Sequence, residues 1–311
     1  MRLPTVRQLQ LLKALEQYKS ISLVAQQLHV SQPSVSIQLR QLKETVEMPV
    51  YRQHGKTIVL TDAGKTLLKC ANEVFTSFHN LSVSIDELKS VTSGSLNLCV
   101  VSTAKYFLPL ILGAFCKKHP KVDINLKIGN RQEVKERIEA NEDDFYFFSQ
   151  CPERPEIIKN PLLDNELVVI APARHELHLQ QEVSLNRLSH YPFIMREKGS
   201  GTRNLIEQFC KEQQLTLNEK MTIESNEAIK YAVASGLGLS ILSRHALDYG
   251  EVPGLVKLDV KGFPIRSTWF LAKRQDRKQS LLASAFEAFM KEQGVAILER
   301  SQVSAKSALS S

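Results

Sequence analysis

TDAGKTLLKCANEVFTSFHNLSVSIDELK, residues 61 to 89, separates two unlike parts of the chain and decides how both are read. Within it Leu67, Ala71, Val74, Phe78, Leu81, Ile85 and Leu88 recur at alternating steps of four and three, which lays one apolar seam along a helix. The other positions are mostly Lys, Glu, Asn, Ser and Thr, so the remaining faces stay wet. A seam this narrow predicts a partner helix, and residues 61–90 read as a dimerising rod. The alternative is a long amphipathic helix lying on its own domain.

The 311 residues suffice for two or three domains with real cores. No run nears the roughly 18 apolar residues of a membrane span, and MRLPTVRQLQ lacks a signal peptide's apolar segment, so a cytoplasmic protein without membrane contact is expected. Cys70, Cys99, Cys116, Cys151 and Cys210 are odd in number and form no Cys-x-x-Cys pair, which fits reduced thiols. The histidines show no paired ligand spacing, so no metal and no cofactor is expected. Formal net charge is +7, and residues 1–60 hold eight Lys/Arg against three Asp/Glu. That imbalance points to a polyanion at the N-terminal end, double-stranded DNA above all.

Residues 1–60 explain how DNA would be held. Val6 to Tyr18 has helical spacing, Ser20 and Ser22 are candidate caps for a short helix Leu23 to Leu28, and His29-Val30-Ser31 breaks it. Ser31 then caps a third helix with Pro33 in its first turn and Val35, Leu39 and Leu42 inward. Ser31, Gln32, Pro33, Ser34, Ser36, Gln38, Arg40 and Lys43 are left for the outward side and its N-terminal end. Gln pairs bidentately with adenine, Ser serves several base edges, and Arg or Lys takes guanine or phosphate. Residues 50–60 read as a hairpin turning at Gly55, a basic wing in which Arg52, Gln53, His54 and Lys56 would hold phosphates.

Residues 22 to 64 resemble the winged helix-turn-helix of the LysR-type transcriptional regulators, most specifically in HVSQPSVSIQLRQL and LTDAG. The resemblance implies a long coiled-coil linker helix and a homodimer. Where the family commonly has Gly this chain has Glu47, so either the helix ends differently or Glu47 is strained. The family's wing arginine falls at Gln53, with Arg52 one position earlier.

Residues 91–300 alternate strand and helix: strand Leu96–Val101, helix Tyr106–Lys118, strand Val122–Ile128, helix Gln132–Glu139 and strand Phe145–Phe148. A second run has strands at Leu167–Ile170, Phe193–Arg196, Met221–Glu224 and Leu239–Leu242, with helices Arg203–Gln213 and Glu227–Ala234. A strand Ser267–Ala272 and helix Leu281–Lys291 return to the first lobe, which makes lobe I residues 91–163 and 268–300 and lobe II residues 164–267. Residues 301–311 lack periodicity and read as a disordered tail. The fold class expected is α+β and multi-domain: winged helix-turn-helix, linker helix, and a two-lobed α/β effector domain like periplasmic binding proteins.

Ligands of open α/β lobes sit beyond the strands' carboxyl ends, where helix N-termini point at them. Ser102, Thr103 and Lys105 leave one strand; Arg196, Ser200, Gly201, Thr202 and Arg203 leave another, and both stretches suit an anion. Asn130, Arg131 and Asn226 stand at further strand ends, where a turn or a helix cap is the competing reading.

VVSTAKYFLP, GNRQEV, NEDDFYF, REKGSGTR and ESNEAIKYAVASGLGLSILSR extend the resemblance over nearly the whole chain, toward the CbbR-like and CmpR-like regulators of the Calvin cycle and carbon metabolism. It implies a homotetramer, RNA polymerase as a further partner, no catalytic residue, and a cleft for a small anionic, phosphorylated metabolite at Ser102, Thr103, Lys105, Asn130, Arg196, Ser200 and Thr202. Three other readings stay open: a LysR-type regulator of another pathway with a non-phosphorylated effector, an architectural DNA binder, and an enzyme on a two-lobed scaffold. No G-x-S-x-G elbow, P-loop or H-E-x-x-H favours the last.

Overall fold

The structure is a computed structural model that describes residues 3–55, 57–88, 94–248, 252–298 and 300. The chain divides into two compact units, Met1–Ser84 and Ile85–Ser311.

In the first unit α1 (Val6–Tyr18) opens with a reciprocal cap: Gln8 N–H donates to Thr5 Oγ1, and Thr5 N–H to Gln8 Oε1. α2 (Ile21–Gln27) starts earlier than expected because Ser20 is the extended residue before it. His29, at φ 52°, turns the chain into α3 (Gln32–Val46), whose Ser31 cap accepts from Ser34 N–H at 3.3 Å. Val35, Leu39 and Leu42 are fully buried with Leu12, Leu15 and Val24 in one core. α3 ends at Glu47 with φ 59°, so the strained alternative is the one realised, at roughly 1–2 kcal/mol for a residue with a Cβ. β1 (Tyr51–His54) pairs antiparallel with β2 (Thr57–Leu60) around Gly55 at φ 61°.

The LTDAG stretch has a steric explanation. Thr61 Oγ1 donates to the Pro49 carbonyl at 2.6 Å and accepts from Gly64 N–H at 3.1 Å, clamping the start of α4 (Asp62–Leu88) onto the chain before the wing. A Cβ on Gly64 would lie 1.9 Å from the Val50 carbonyl oxygen. Along α4 the expected seam is divided. Leu67 packs against the N-terminal core and Ala71 is fully buried, whereas Phe78, Leu81 and Ile85 stand 47%, 56% and 41% exposed on successive turns. Val74 is half-buried, and the side chain of Leu88 lies outside the described residues.

The second unit begins with β3 (Gly94–Val101), which passes through a 3₁₀ turn, Ser102–Tyr106, into α5 (Leu108–Lys118). β4 (Val122–Gly129), α6 (Arg131–Glu139) and β5 (Phe145–Phe148) complete a βαβαβ lobe in which β4 and β5 flank β3 in parallel. β6 (Ile157–Pro172) leads to α7 (Leu185–Leu188), β7 (Pro192–Arg196), α8 (Gly201–Glu212), β8 (Asn218–Ile223), α9 (Asn226–Ala234), β9 (Ser240–Ser243), α10 (Arg244–Asp248) and β10 (Leu255–Lys257). β11 (Ile265–Arg274) and α11 (Leu281–Phe289) return to the first lobe. β6 and β11 are both longer than their apolar runs predict. They pair antiparallel along β11's whole length, with one irregularity between Trp269 and Phe270. Ile157 and Leu271 belong to the core of lobe I, Leu167 and Ile265 to that of lobe II, so this ribbon carries the chain between lobes.

Gly64→Ala should destabilise the first unit by about 1–3 kcal/mol, the usual range for forced overpacking. Urea unfolding followed by circular dichroism measures it; an unchanged midpoint would contradict the close approach.

Candidate functional site

Three strand ends meet between the lobes. β3 delivers Val101, Ser102 and Thr103, β4 delivers Asn130 and Arg131, and β7 delivers Arg196, Ser200, Gly201 and Thr202; with Ser149 they line one small opening. Arg196 forms its floor, 2% exposed. Its Nη1 donates to Asn226 Oδ1 at 2.6 Å and its Nη2 to Ser102 Oγ at 3.3 Å, while Nε and Nη2 reach the Glu197 carboxylate at 2.7 and 2.9 Å. One guanidinium therefore bonds both lobes.

Above it the polar groups are unfinished. Ser149, Ser200 and Thr202 are 8%, 3% and 7% exposed, and none of their hydroxyls bonds another described residue. α8 begins at Ser200 with no side-chain cap, so its first N–H groups face the opening with the positive end of the helix dipole. α6 differs: Asn130 Oδ1 accepts from Glu133 N–H at 3.0 Å and Glu133 Oε2 from Asn130 N–H at 2.7 Å, so its end is partly satisfied. Gly201 lies close against lobe I: a Cβ there would stand 3.2 Å from Ser149 Oγ, so that hydroxyl would have to give by a few tenths of an ångström. Free donors, hydroxyls without a protein partner and a helix N-terminus make a receptor for an anion.

Three expected cleft residues stand outside this ring. Arg203 turns into lobe II, where Nη1 and Nη2 meet Glu219 at 2.9 and 2.8 Å, Nε meets Glu207 at 2.6 Å, and Nη1 also holds the Arg196 carbonyl. Asn226 sits behind Arg196 as its acceptor. Lys105 reaches across to Glu227 at 3.0 Å, beside the Tyr106 hydroxyl, which donates to the other Glu227 oxygen at 2.6 Å. Burial opposes charge on Glu227, but the bonds from Tyr106 and Lys105 outweigh it and hold the carboxyl down at about 2. Sequence reading missed Ser149, Glu197, Tyr106 and Glu227. Glu197, Tyr106 and Glu227 lie inside the REKGSGTR, VVSTAKYFLP and ESNEAIK stretches, a signal that could have found them; Ser149 lies in none of these.

On the first unit, Ser31, Gln32, Pro33, Ser34, Ser36, Arg40 and Lys43 are exposed on α3 or at its start, and Gln38 is half-buried. Arg52, Gln53 and His54 are exposed on β1, with Gln53 Nε2 donating to the Gly55 carbonyl at 3.3 Å; Lys56 lies outside the described residues. Two of the thiols are chemically quiet: burial pushes Cys99 up to about 12 and Cys151 up to about 11.

Residues 6–65 match the family described as bacterial regulatory helix-turn-helix protein, lysR family, and residues 89–295 match the LysR substrate binding domain. The HTH-type transcriptional activator CmpR of Synechocystis is 39% identical, over 92% of this chain and 94% of its own. The RuBisCO operon transcriptional regulator of Allochromatium vinosum is 37% identical, over 92% and 95%. Among solved structures, the CcmR regulatory domain of Synechocystis in complex with 2-PG has a TM-score of 0.61 at 38% identity, covering 64% of this chain and 96% of that domain. Full-length CbnR, solved with its target DNA, shares the fold with a TM-score of 0.63 at 20% identity, over 92% of this chain and 99% of its own.

Glu227→Gln should lower the melting temperature at neutral pH. A carboxylate whose folded pKa is depressed stabilises above its unfolded value and loses that contribution as pH falls, so the deficit should shrink between about 4.5 and about 2. A deficit constant across that window would refute the charged clasp.

Proposed function

Because the chain belongs to the LysR family of bacterial transcriptional regulators, we propose that it controls genes of carbon fixation and central carbon metabolism through a small phosphorylated metabolite bound in the cleft of its second unit. The observation that carries this reading is that three largely buried residues, Ser149, Ser200 and Thr202, turn hydroxyls without a protein partner into the opening beside the uncapped N-terminus of α8. Support for the metabolite's class comes from the CcmR domain, whose structure holds 2-phosphoglycolate, and for the pathway from the CmpR and RuBisCO-operon regulators.

DNA is read by α3, with Gln32, Ser34 and Ser36 toward base edges and Arg40, Lys43 and the wing residues Arg52, Gln53, His54 and Lys56 toward phosphates. Phe78, Leu81 and Ile85 form an exposed apolar stripe that a second copy of α4 covers, giving a homodimer whose paired α3 helices fit a two-fold operator, and a homotetramer as the working assembly. Effector binding shifts the balance between two arrangements of that assembly and thereby the bend of the promoter and access of RNA polymerase. The shift requires different effector affinity in the two arrangements.

Two measurements test this. Saturating 2-phosphoglycolate should raise the melting temperature and change the DNase footprint; a panel of anionic metabolites that alters neither would sink the sensor role. Replacing Gln32 and Ser34 by Ala should remove preference for the cognate operator while leaving dimers intact, and retained preference would count against α3 as the reader.

A further inference from the structure

Two guanidinium groups line the cleft, and their charges are not equal in effect. Arg196 is matched by Glu197, whose two oxygens take its Nε and Nη2 at 2.7 and 2.9 Å. Both side chains are largely buried, 2% and 13% exposed, so solvent screens this pair weakly. Arg131 has no carboxylate at ion-pair distance among the described residues; its Nε donates to the Gln150 carbonyl at 3.2 Å. Glu133, two residues on, is turned to the backbone N–H of Asn130 at 2.7 Å. The uncompensated positive charge therefore lies at one end of the cleft. The unbonded hydroxyls lie there too: a Cβ on Gly201, the first residue of α8, would stand 3.2 Å from Ser149 Oγ and 3.7 Å from Arg131 Cδ. At the other end Ser102 and Thr103 flank a guanidinium already neutralised.

Resting on the sensor reading above, we infer that Glu197 determines the charge class of the effector. By cancelling Arg196 it leaves a cleft that neutralises a single dianionic group. That group sits at the start of α8 against Arg131, Ser149, Ser200 and Thr202, and the ligand's other end, at Ser102 and Thr103, is a hydroxyl or a singly charged carboxylate. A monophosphate ester of a small hydroxy acid fits this polarity. A bisphosphate does not, because its second phosphate would meet Arg196, whose charge Glu197 already cancels from behind the lining.

Titration calorimetry on the full-length protein separates the possibilities. In the wild type, 3-phosphoglycerate should bind at least about tenfold more tightly than 2,3-bisphosphoglycerate, a gap of the size one charge-assisted hydrogen bond supplies. Glu197→Gln frees the Arg196 charge while keeping a hydrogen-bonding oxygen, and should close most of that gap by strengthening the bisphosphate. Glu197→Asp, which retains the charge, should keep the wild-type preference. Equal affinity of the two ligands for the wild type would overturn the inference and leave the sensor reading standing. So would a gap that Glu197→Gln leaves unchanged. Absence of binding by these two and by 2-phosphoglycolate would overturn both.

Discussion

A guanidinium buried to the extent of Arg196 has to satisfy its donors inside the protein, and that requirement organises the second unit. Leaving a buried charged group unpaired costs several kcal/mol, so Glu197, Asn226 and Ser102 are bound to stay within reach of one side chain. Two of these come from lobe II and one from lobe I. The ribbon of β6 and β11 ties the lobes at the chain level, and Arg196 ties them at the level of the site. Lys105, Tyr106 and Glu227 add a second bond across the same divide. The cleft is thus a space between two bodies already held together by charge.

What distinguishes the cleft from ordinary interior is the incompleteness above that floor. Elsewhere in the unit Asn130 caps α6, Ser225 caps α9 and Ser280 caps α11, while α5 and α7 lack a side-chain cap as α8 does but do not open on the cleft. α8 is left open beside the hydroxyls of Ser149, Ser200 and Thr202, which have no protein partner. An uncapped helix start forgoes roughly 0.5–2 kcal/mol, and a ligand that supplies the missing acceptor recovers it. Binding energy and the local cost of the unliganded site have the same origin, which is how a small anion gains leverage over the lobes.

Much of this was legible in the chain. The steps of α3 and the Ser31–Pro33 start state a helix and its buried face directly, and Phe145–Phe148 reads as the buried strand it is. Ser102, Asn130, Arg131, Arg196 and Thr202 were visible as polar residues at strand ends, and the topology brings them together. Other features depend on tertiary placement that periodicity does not encode. β6 runs through Pro161, Asp164, Asn165 and Glu166, residues that argue against a strand, because β11 pairs along it. Lys105 and Arg203 resemble ligand groups in sequence, yet carboxylates about 120 and 16 positions away claim them first. Ser149 gains its place only when Gly201 of the opposite lobe closes on it. The seam of α4 is regular in sequence, but its first two members are consumed by the chain's own packing and the apolar stripe begins later.

The most direct test of this account is the position of phosphorus in a crystal of the full-length protein grown with 2-phosphoglycolate. The phosphate should lie within hydrogen-bond distance of the N–H groups of Gly201 and Thr202 and of the Ser200 hydroxyl, with the carboxylate toward Ser102 and Thr103. A ligand bound in reverse, or bound outside the space between β3, β4 and β7, would contradict it.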